Sequence, residues 1–337
     1  MLLALALAQS SWTLVAGGDI MTNGVPVSAR PFRSIAAVTR PVDIAIANLE
    51  IPLTNLNTRT TRKSAAAIRS RSQFVLKGDP GHGAGIKGAG FDIVSLGNNH
   101  AMDFQAGGLK QMIGVLDRQG ISYAGAGITS REAYRPAVFT LPNGIKVGMI
   151  SALAFMNQGS LAVCTPATPT TAGIAVINSN GGTVGQAVKR KIRSWVGRAR
   201  NESDFVIAGL HWGIERQNIP TRFQVSLARA FIDGGADLVW GHHPHVLQGA
   251  EIYRGKPILY SMGNLLSPLP ADTGLLEMAF SGTALKSARF HPARIGGGRV
   301  ILSAAKAIAA GRERFRKLCA AVARQYPSSN SRPFQVH

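Results

Sequence analysis

Five short clusters along the sequence carry side chains that bind metal ions well. Together they offer two carboxylates, an asparagine amide oxygen and several imidazoles. This mixture of hard oxygen ligands and borderline nitrogen ligands suits Mn, Fe, Zn or Mg. The clusters therefore predict a divalent metal site. They are Gly18-Asp19, Asn48-Leu49-Glu50, Gly97-Asn98-Asn99-His100, His211-Trp212-Gly213 and Gly241-His242-His243-Pro244-His245.

The run from Gly241 to His245 is the most informative of these clusters. Three imidazoles within four residues repel one another when protonated, and they waste burial when neutral, unless something binds them. Taken singly, the other clusters have ordinary explanations. Asp19 fits a turn, Glu50 a solvated loop, and His211 a hydrogen-bonded histidine at the rim of a sheet. Their joint occurrence at the ends of apolar runs favours a shared site.

Seven short apolar runs, each ending in a polar or Gly-rich cluster, are typical of buried strands with loops at their carboxyl ends. Helix-like stretches alternate with several of them, which predicts a layered α/β sheet. Ligand sites in such sheets form at the carboxyl ends of the strands, so we expect the five clusters at one rim. The apolar runs cover residues 13–16, 42–47, 91–96, 146–151, 205–210, 238–240 and 258–262, and the helical stretches cover 107–119, 186–200 and 221–233.

The composition is that of a chain able to bury a large core, with 337 residues of which 45% are hydrophobic. The formal net charge is +20, and two runs, residues 59–77 and 189–200, contain several basic residues and no acid. Such surfaces attract nucleic acid, anionic lipid headgroups and acidic polymers alike. An arginine-rich composition explains the charge equally well. No recognition helix or aromatic platform indicates a specific nucleic-acid partner.

Two cysteines, Cys164 and Cys319, are too few for a zinc-binding cysteine cluster or a disulfide framework, although one bridge stays open. Residues 1–12 begin with a short apolar run that ends like a signal-peptidase site but lacks a basic start, so we interpret them as a truncated signal segment. Residues 13–280 are predicted as the main domain, with a Thr-, Pro- and Gly-rich loop insertion at 156–185. Residues 281–337 carry eleven basic residues against one acid and are predicted as a basic C-terminal extension with a helix.

Six motifs occur in order between residues 13 and 267: Gly17-Gly-Asp-Ile-Met21, Ala47-Asn-Leu-Glu-Ile-Pro52, Asp92-Ile-Val-Ser-Leu-Gly-Asn-Asn-His-Ala-Met-Asp103, His211-Trp-Gly-Ile-Glu215, Gly241-His-His-Pro-His245 and Tyr260-Ser-Met-Gly-Asn264. Together they resemble the capsule-synthesis CapA (PgsA) family, which is linked to poly-γ-glutamate production and related to calcineurin-like metallophosphoesterases. The resemblance implies a layered metallophosphoesterase-like sheet sandwich flanked by helices. It also favours the cell envelope, periplasmic or membrane-associated, over the cytoplasm.

The resemblance further implies roles for individual residues. Asp19 matches the first metal-binding aspartate, Glu50 stands where the phosphoesterases have a bridging aspartate, and Asn99 matches the ligand asparagine. His100 takes the place of the histidine that assists the leaving group. Met21 departs from the pattern, because a histidine usually stands there and a thioether does not replace imidazole for a hard cation. One metal position is therefore a ligand short, and we expect one or two divalent ions.

The remaining ligands implied by the resemblance are His211, which matches an isolated histidine, and the final pair His243 and His245, one for each metal. Three neighbours are expected to support the ligands. Asp103 either orients the His100 imidazole or caps the helix that follows. Glu215 either supports His211 or is an ordinary surface residue. The third supporting residue is His242.

The resemblance supports two functions. The first is metal-dependent hydrolysis of a phosphoester or of the acidic polymer, with His100 protonating the departing oxygen. The second is a non-catalytic accessory role, in which the fold binds an acidic envelope polymer during its synthesis or export; the change at Met21 favours this role. The implied partners are the polymer or phosphoester and the membrane proteins of capsule synthesis.

Overall fold

The computed structural model of the chain describes residues 10–155, 162–178 and 184–337. No helix within these ranges is long and apolar enough to cross a membrane. Most of the predicted signal segment, residues 1–9, and two parts of the predicted loop insertion, residues 156–161 and 179–183, lie outside the described residues.

Strands dominate the described part of the chain, and helices connect several of them. In chain order the strands are β1 (Ser11–Ile20), β2 (Ile44–Leu49), β3 (Ile93–Ser95), β4 (Ser122–Ala124), β5 (Ala126–Gly127), β6 (Ala137–Thr140), β7 (Lys146–Phe155), β8 (Gly173–Ile174), β9 (Val176–Asn178), β10 (Phe205–Trp212), β11 (Leu238–His242), β12 (Ala250–Tyr253), β13 (Lys256–Leu259), β14 (Asn264–Leu266), β15 (Ala271–Ser281), β16 (Ala284–Gly296), β17 (Arg299–Leu302) and β18 (Ser331–Pro333). The α-helices are α1 (Ala36–Thr39), α2 (Ala65–Arg69), α3 (His82–Gly88), α4 (Gln105–Gln119), α5 (Ser130–Ala133), α6 (Gln186–Glu202), α7 (Arg222–Asp233) and α8 (Ala305–Gln325), and a short 3-10 helix spans Val27–Ala29.

Two mixed sheets form the centre of the fold. The first has the strand order β17-β16-β15-β1-β2-β3-β4, with β14 also paired to β1. The second has the order β18-β12-β13-β11-β10-β7-β6, with β9 also paired to β7. Strands β1 to β4 run parallel, as do β7, β10, β11 and β13, whereas β15, β16 and β17 pair antiparallel. A separate two-stranded sheet joins β5 and β8.

The two sheets pack face to face over a shared apolar core. Leu14 and Ile46 of the first sheet belong to the same buried cluster as Ile207 and Trp240 of the second. A second cluster covers the other face of the first sheet with side chains of α3 and α4, and a third covers the other face of the second sheet with α6 and α7. Side chains alternate between the faces of a strand, so each sheet has a core on both sides. The layers confirm the predicted sheet sandwich flanked by helices.

The seven predicted strands are all present, although β1 and β7 are longer than predicted and β13 ends at Leu259. The predicted helices correspond to α4, α6 and α7. Helix α7 begins after Thr221, whose side chain accepts from the backbone of Gln224 in a capping box.

The basic C-terminal residues are built into both sheets. Strands β16 and β17 extend the first sheet, β18 pairs with β12 of the second, and α8 packs Phe315 and Cys319 into the core between the sheets. The sequence predicted the helix and none of these strands, because each strand is short or mixes polar and basic residues with apolar ones and so lacks an apolar run of four or more residues. The division of the chain at residue 280 stays a prediction. Cys164 and Cys319 are both buried.

Candidate metal centre

The strand ends of the two sheets bring the predicted ligands to one rim of the sandwich. In the first sheet, Asp19 near the end of β1 lies opposite Asn48 of β2, and Glu50 follows directly after β2. In the second sheet, His211 of β10 lies opposite His242 at the end of β11. Because the strands of each pair are parallel, their carboxyl ends meet at the same edge.

Two glycines allow close backbone approach at this rim. A Cβ atom at Gly18 would lie 2.0 Å from the carbonyl oxygen of Gly263, and one at Gly241 would lie 2.1 Å from that of Tyr260. Any larger residue is therefore excluded directly before Asp19 and directly before the histidine run. Close backbone packing therefore explains why glycine occupies these two positions.

The histidine run leaves β11 with a strained backbone. His243 has a φ of 94° and His245 a φ of 58°, both in the left-handed region that residues other than glycine rarely adopt. Such strain persists where the surrounding structure fixes it, and it is concentrated at functional sites. One fixing contact is the backbone amide of His243, which donates to Oδ2 of Asp19 at 3.2 Å and so joins the two sheets.

Ligand atoms converge in two overlapping groups among the described residues. The inner cluster consists of Asp19, Glu50 and His211, all of which are fully buried. The outer cluster consists of Glu50, His243 and His245. Within each cluster the ligand atoms lie within 4.8 Å of one another. Glu50 belongs to both clusters, so it has the position of a shared ligand.

Short distances join the two clusters. Nε2 of His211 lies 3.3 Å from Oε1 of Glu50 and 3.1 Å from Nδ1 of His243. Nδ1 of His245 lies 3.3 Å from Oδ2 of Asp19 and 3.8 Å from Oε2 of Glu50. Carboxylate oxygens and imidazole nitrogens gathered this closely are the donor set that divalent transition metals take.

Three residues that the sequence did not assign to the site also support it. Asn48 donates from Nδ2 to Oδ1 of Asp19 at 2.8 Å, and Oδ1 of Asn264 lies 2.9 Å from Nδ1 of His245. Both asparagines stand inside the six motifs, so their polarity at a strand end was an available signal. Lys63, which the sequence grouped with an exposed basic run, is buried and reaches the loop after β3. Nothing in the sequence distinguished it from its basic neighbours.

His100 lies on the loop after β3, and its side chain is 8% exposed. Its Nδ1 lies 2.7 Å from the Asp103 carboxylate, so Nδ1 donates there and Nε2 is left for proton transfer. Asp103 therefore orients the imidazole. The N-cap of α4 is Phe104, which makes no side-chain cap bond.

The family model described as bacterial capsule synthesis protein PGA_cap matches residues 13–269. The chain belongs to this family. Among its relatives, PGA biosynthesis protein CapA of Bacillus subtilis (strain 168) is 27% identical over 235 residues, which cover 70% of this chain and 56% of that protein. Capsule biosynthesis protein CapA of Bacillus anthracis is 28% identical over 236 residues, which cover 70% of this chain and 53% of that protein.

A probable polyglutamine synthesis accessory protein of Mycobacterium tuberculosis is 28% identical over 225 residues, which cover 66% of this chain and 58% of that protein. The chain thus spans just over half the length of these relatives. The PGA_cap match confirms the resemblance drawn from the six motifs and extends over all the predicted ligands, from Asp19 to His245.

Burial and charge act differently on the two carboxylates of this PGA_cap rim. Burial raises the pKa of Glu50 to about 8, and the negative charge of Asp19 adds to the increase against the effect of His245. Burial alone would also raise the pKa of Asp19, but the His245 hydrogen bond and the charges of nearby histidines hold it well below its usual range. Glu50 is therefore the carboxylate that lacks sufficient balancing positive charge, which a divalent cation would supply.

Burial lowers the pKa of three histidines at the rim. The pKa values of His211 and His242 fall to about 3, and that of His243 falls well below 6.5. Neutral imidazole is the form that binds metal. His245 differs, because Glu50 and Asp19 outweigh the effect of its burial and raise its pKa to about 10. A proton or a metal ion is therefore favoured at His245, beside the carboxylates.

Several buried polar atoms at the rim have no hydrogen-bond partner in the described ranges. They include both carboxylate oxygens of Glu50 and Oδ1 of Asn99. Unpaired buried polar atoms are unfavourable and rare in folded proteins. A divalent cation held by either cluster would satisfy the Glu50 oxygens, so the residues present fit a metal ion. That these residues bind metal stays a prediction.

The two other predicted supporting residues have different surroundings. His242 is fully buried, with its ring centroid 3.9 Å from that of Trp240 and its Nδ1 3.4 Å from Oδ1 of Asp19. Glu215 is exposed on the loop after β10, and its charge affects the pKa of His245. The structure thus brings His242 against a carboxylate ligand and leaves Glu215 at the solvent edge.

Proposed function

We propose that this chain is a metal-dependent, phosphoesterase-like hydrolase that works in the synthesis of capsule or of another acidic envelope polymer. The observation that carries the proposal is the position of Glu50. It is fully buried, neither of its oxygens has a hydrogen-bond partner among the described residues, and both ligand clusters include it. A buried carboxylate shared by both clusters would be available to hold one or two divalent ions. Asp19, Asn99, His211, His243 and His245 would complete the site.

The protein's own residues account for much of the proposed chemistry. When bound, divalent ions stabilise charge on a phosphoryl group and lower the pKa of a bound water. Burial of Asp19 and Glu50 keeps bulk water from the carboxylates and strengthens their electrostatic interactions. His100 would donate a proton from Nε2 to the departing oxygen as its bond to the substrate breaks, while Asp103 holds the ring through Nδ1 at 2.7 Å.

The names of the relatives support the setting of this reaction. The two Bacillus proteins are named for PGA or capsule biosynthesis, and the mycobacterial protein for polyglutamine synthesis. We infer that the substrate is a phosphoester or the acidic polymer itself. The partners would be membrane proteins of capsule synthesis, and the protein would work in the cell envelope.

A non-catalytic accessory role is the second candidate. Met21 stands where phosphoesterases usually have a ligand histidine, which weakens one metal position. The mycobacterial relative is itself named as an accessory protein. In this role the site would bind the acidic polymer during synthesis or export without cleaving it.

Metal content and hydrolysis, measured on the same samples, separate the two functions. Wild type and His243→Ala are compared by elemental analysis and by hydrolysis of bis-p-nitrophenyl phosphate. His337→Ala serves as the control, because His337 is exposed at the chain end and bonded through its backbone to Ala288.

Near-stoichiometric metal and activity that are both lost in His243→Ala alone would support the hydrolase. Bound metal without hydrolysis would favour the accessory role. Wild-type protein that holds no metal after supplementation with Mn, Fe, Zn or Mg would contradict the site itself.

A further inference from the structure

The two basic runs of the sequence occupy different places in the fold. The first run, residues 59–77, is here called the basic strap. It lies between β2 and α3 and includes α2. Its arginines are all exposed and have no carboxylate partner in the part of the chain that the structure describes. They are Arg59, Arg62, Arg69 and Arg71. The strap therefore presents uncompensated positive charge to solvent.

Lys63 is the exception within the basic strap, because its side chain is only 4% exposed. Its Nζ forms an ion pair with the Asp103 carboxylate and donates to the carbonyl oxygens of Phe74 at 2.8 Å and Asn99 at 3.2 Å. These three acceptors use all three hydrogens of the ammonium group. The contact of 3.2 Å with Nδ1 of His100 is thus not a hydrogen bond, since that nitrogen already donates to Asp103.

Asp103 joins both ends of the basic strap to the loop that carries Asn99 and His100. Its carbonyl oxygen accepts from the backbone amide of Thr60 at 2.8 Å, near the beginning of the strap. Its Oδ2 accepts from the backbone amide of Leu76 at 2.7 Å, near the end. The strap is therefore held at both ends against the loop that carries the predicted proton-transfer residue, partly through buried contacts.

The second basic run has no such connection. Lys189, Arg190, Lys191 and Arg193 are exposed on α6. That helix packs through apolar residues of its other face, among them Trp195, on the outer side of the second sheet. None of the hydrogen bonds found in the described ranges joins these four side chains to a residue of the rim. The two runs have similar charge but different relations to the metal centre.

We propose that the basic strap is the element that binds a polycarboxylate chain beside the metal centre, and that Lys63 is the positioning residue that holds it there. Exposed guanidinium groups without carboxylate partners are complementary to a chain of carboxylates. The buried ion pair fixes their location next to Asn99 and His100. The inference rests on the proposed function only in taking an acidic polymer as the molecule that the site handles.

Matched charge reversals test the binding surface. Arg62→Glu/Arg69→Glu on the strap and Arg190→Glu/Arg193→Glu on α6 change the net charge equally. Binding of fluorescein-labelled poly-L-glutamate is followed by anisotropy at constant ionic strength. We expect the strap variant to lose about tenfold or more in affinity and the α6 variant about threefold or less, because only the former removes a localised contact. Equal losses in both variants would overturn the proposal, since net charge alone would then explain binding.

The positioning role of Lys63 is tested with Lys63→Met. Lys110→Met, on the exposed face of α4, is the control for the same chemical change. We expect trypsin to cleave within the strap about tenfold faster in Lys63→Met, because opening of the segment becomes easier. The affinity of Lys63→Met for polyglutamate should fall as its strap becomes more sensitive to trypsin. Unchanged cleavage and affinity in a folded Lys63→Met protein would contradict the role of Lys63.

A second variant covers the case in which Lys63→Met does not fold, since it leaves the Asp103 charge buried without its ammonium partner. Lys63→Met/Asp103→Asn removes both charges and should restore folding while the strap stays sensitive to trypsin. Neither readout depends on bound metal or on hydrolysis. Failure of the hydrolase proposal would therefore appear in the metal and activity assays and leave the polyglutamate result independent.

Discussion

The inner and outer ligand clusters share Glu50 but differ in their access to solvent. Asp19 and His211 of the inner cluster are fully buried, whereas the side chain of His245 in the outer cluster is 20% exposed. The residues of the inner cluster lie at or directly after the ends of regular strands. Two residues of the outer cluster lie on the strained turn after β11, in which His243 has a positive φ.

This difference in exposure predicts different roles for the two clusters. Enclosed metal sites hold their ion firmly, whereas sites that act on a substrate keep a position open to water. We expect the inner cluster to bind its ion more tightly and the outer cluster to face the substrate. Four measurements test this difference between the clusters.

Glu50→Gln should have the largest effect, because it removes the only ligand common to both clusters. Elemental analysis should show metal content near zero, and any phosphodiester hydrolysis should fall by about 1,000-fold or more. Glu215→Gln, at the exposed edge of the same rim, is the matched control and should retain metal. A Glu50→Gln protein that keeps one equivalent of metal would show that one cluster binds without the shared carboxylate.

His211→Ala and His245→Ala compare the clusters directly. Loss of His211 should weaken the more tightly held ion by about 10- to 100-fold and lower the thermal midpoint, because it also leaves a cavity between the sheets. Loss of His245 should release the weaker ion and leave the first in place. Titration with a chelator, read together with thermal unfolding, measures both effects. The opposite order of metal loss would reverse the assignment of the two clusters.

The pKa of Glu50 predicts a pH dependence of the metal-free protein. Burial raises this pKa from 4.5 to about 8, so between these values the folded state keeps a proton that the unfolded state has lost. The stabilising effect is therefore complete below pH 4.5 and is lost as pH rises toward 8. The thermal midpoint of the metal-free protein should fall over this window by several degrees, roughly 5 °C.

The same melts on Glu50→Gln and on metal-loaded wild type provide the controls. Both should show a flatter profile, because the variant has no proton to lose and the metal keeps Glu50 ionised. A metal-free wild type whose midpoint is constant between pH 5 and pH 8 would contradict the raised pKa of Glu50.

Met21→His should have the smallest effect and the opposite sign. Met21 follows β1, is half-buried and donates its backbone amide to Leu266 at 2.8 Å. An imidazole two residues after Asp19 should raise the affinity for the weaker ion by about tenfold. Met21→Leu is the control for the change in shape. An unchanged affinity would show that a side chain at this position does not reach the clusters.

The sequence by itself predicted which side chains would meet at one rim and which elements carry them. Asp19, Glu50, Asn99 and the rim histidines follow apolar runs directly, so one local pattern specified both the strand and the residue at its end. Parallel pairing then predicted their meeting at one rim, and the structure brings them there. The layered sandwich was predictable for the same reason, because buried parallel strands are continuous apolar runs.

The tertiary structure alone decided the partners of those residues. Lys63 is chemically like Arg62 in the sequence. It is buried because Asp103, forty residues away, forms an ion pair with its ammonium group. Strands β16 and β17 likewise depend on their partners, since β16 pairs with β15 and β17 with β16, and their own residues alternate too weakly to predict pairing. Local patterns determine strands and their ends, whereas burial and pairing arise from contacts between distant segments, which no stretch of sequence contains by itself.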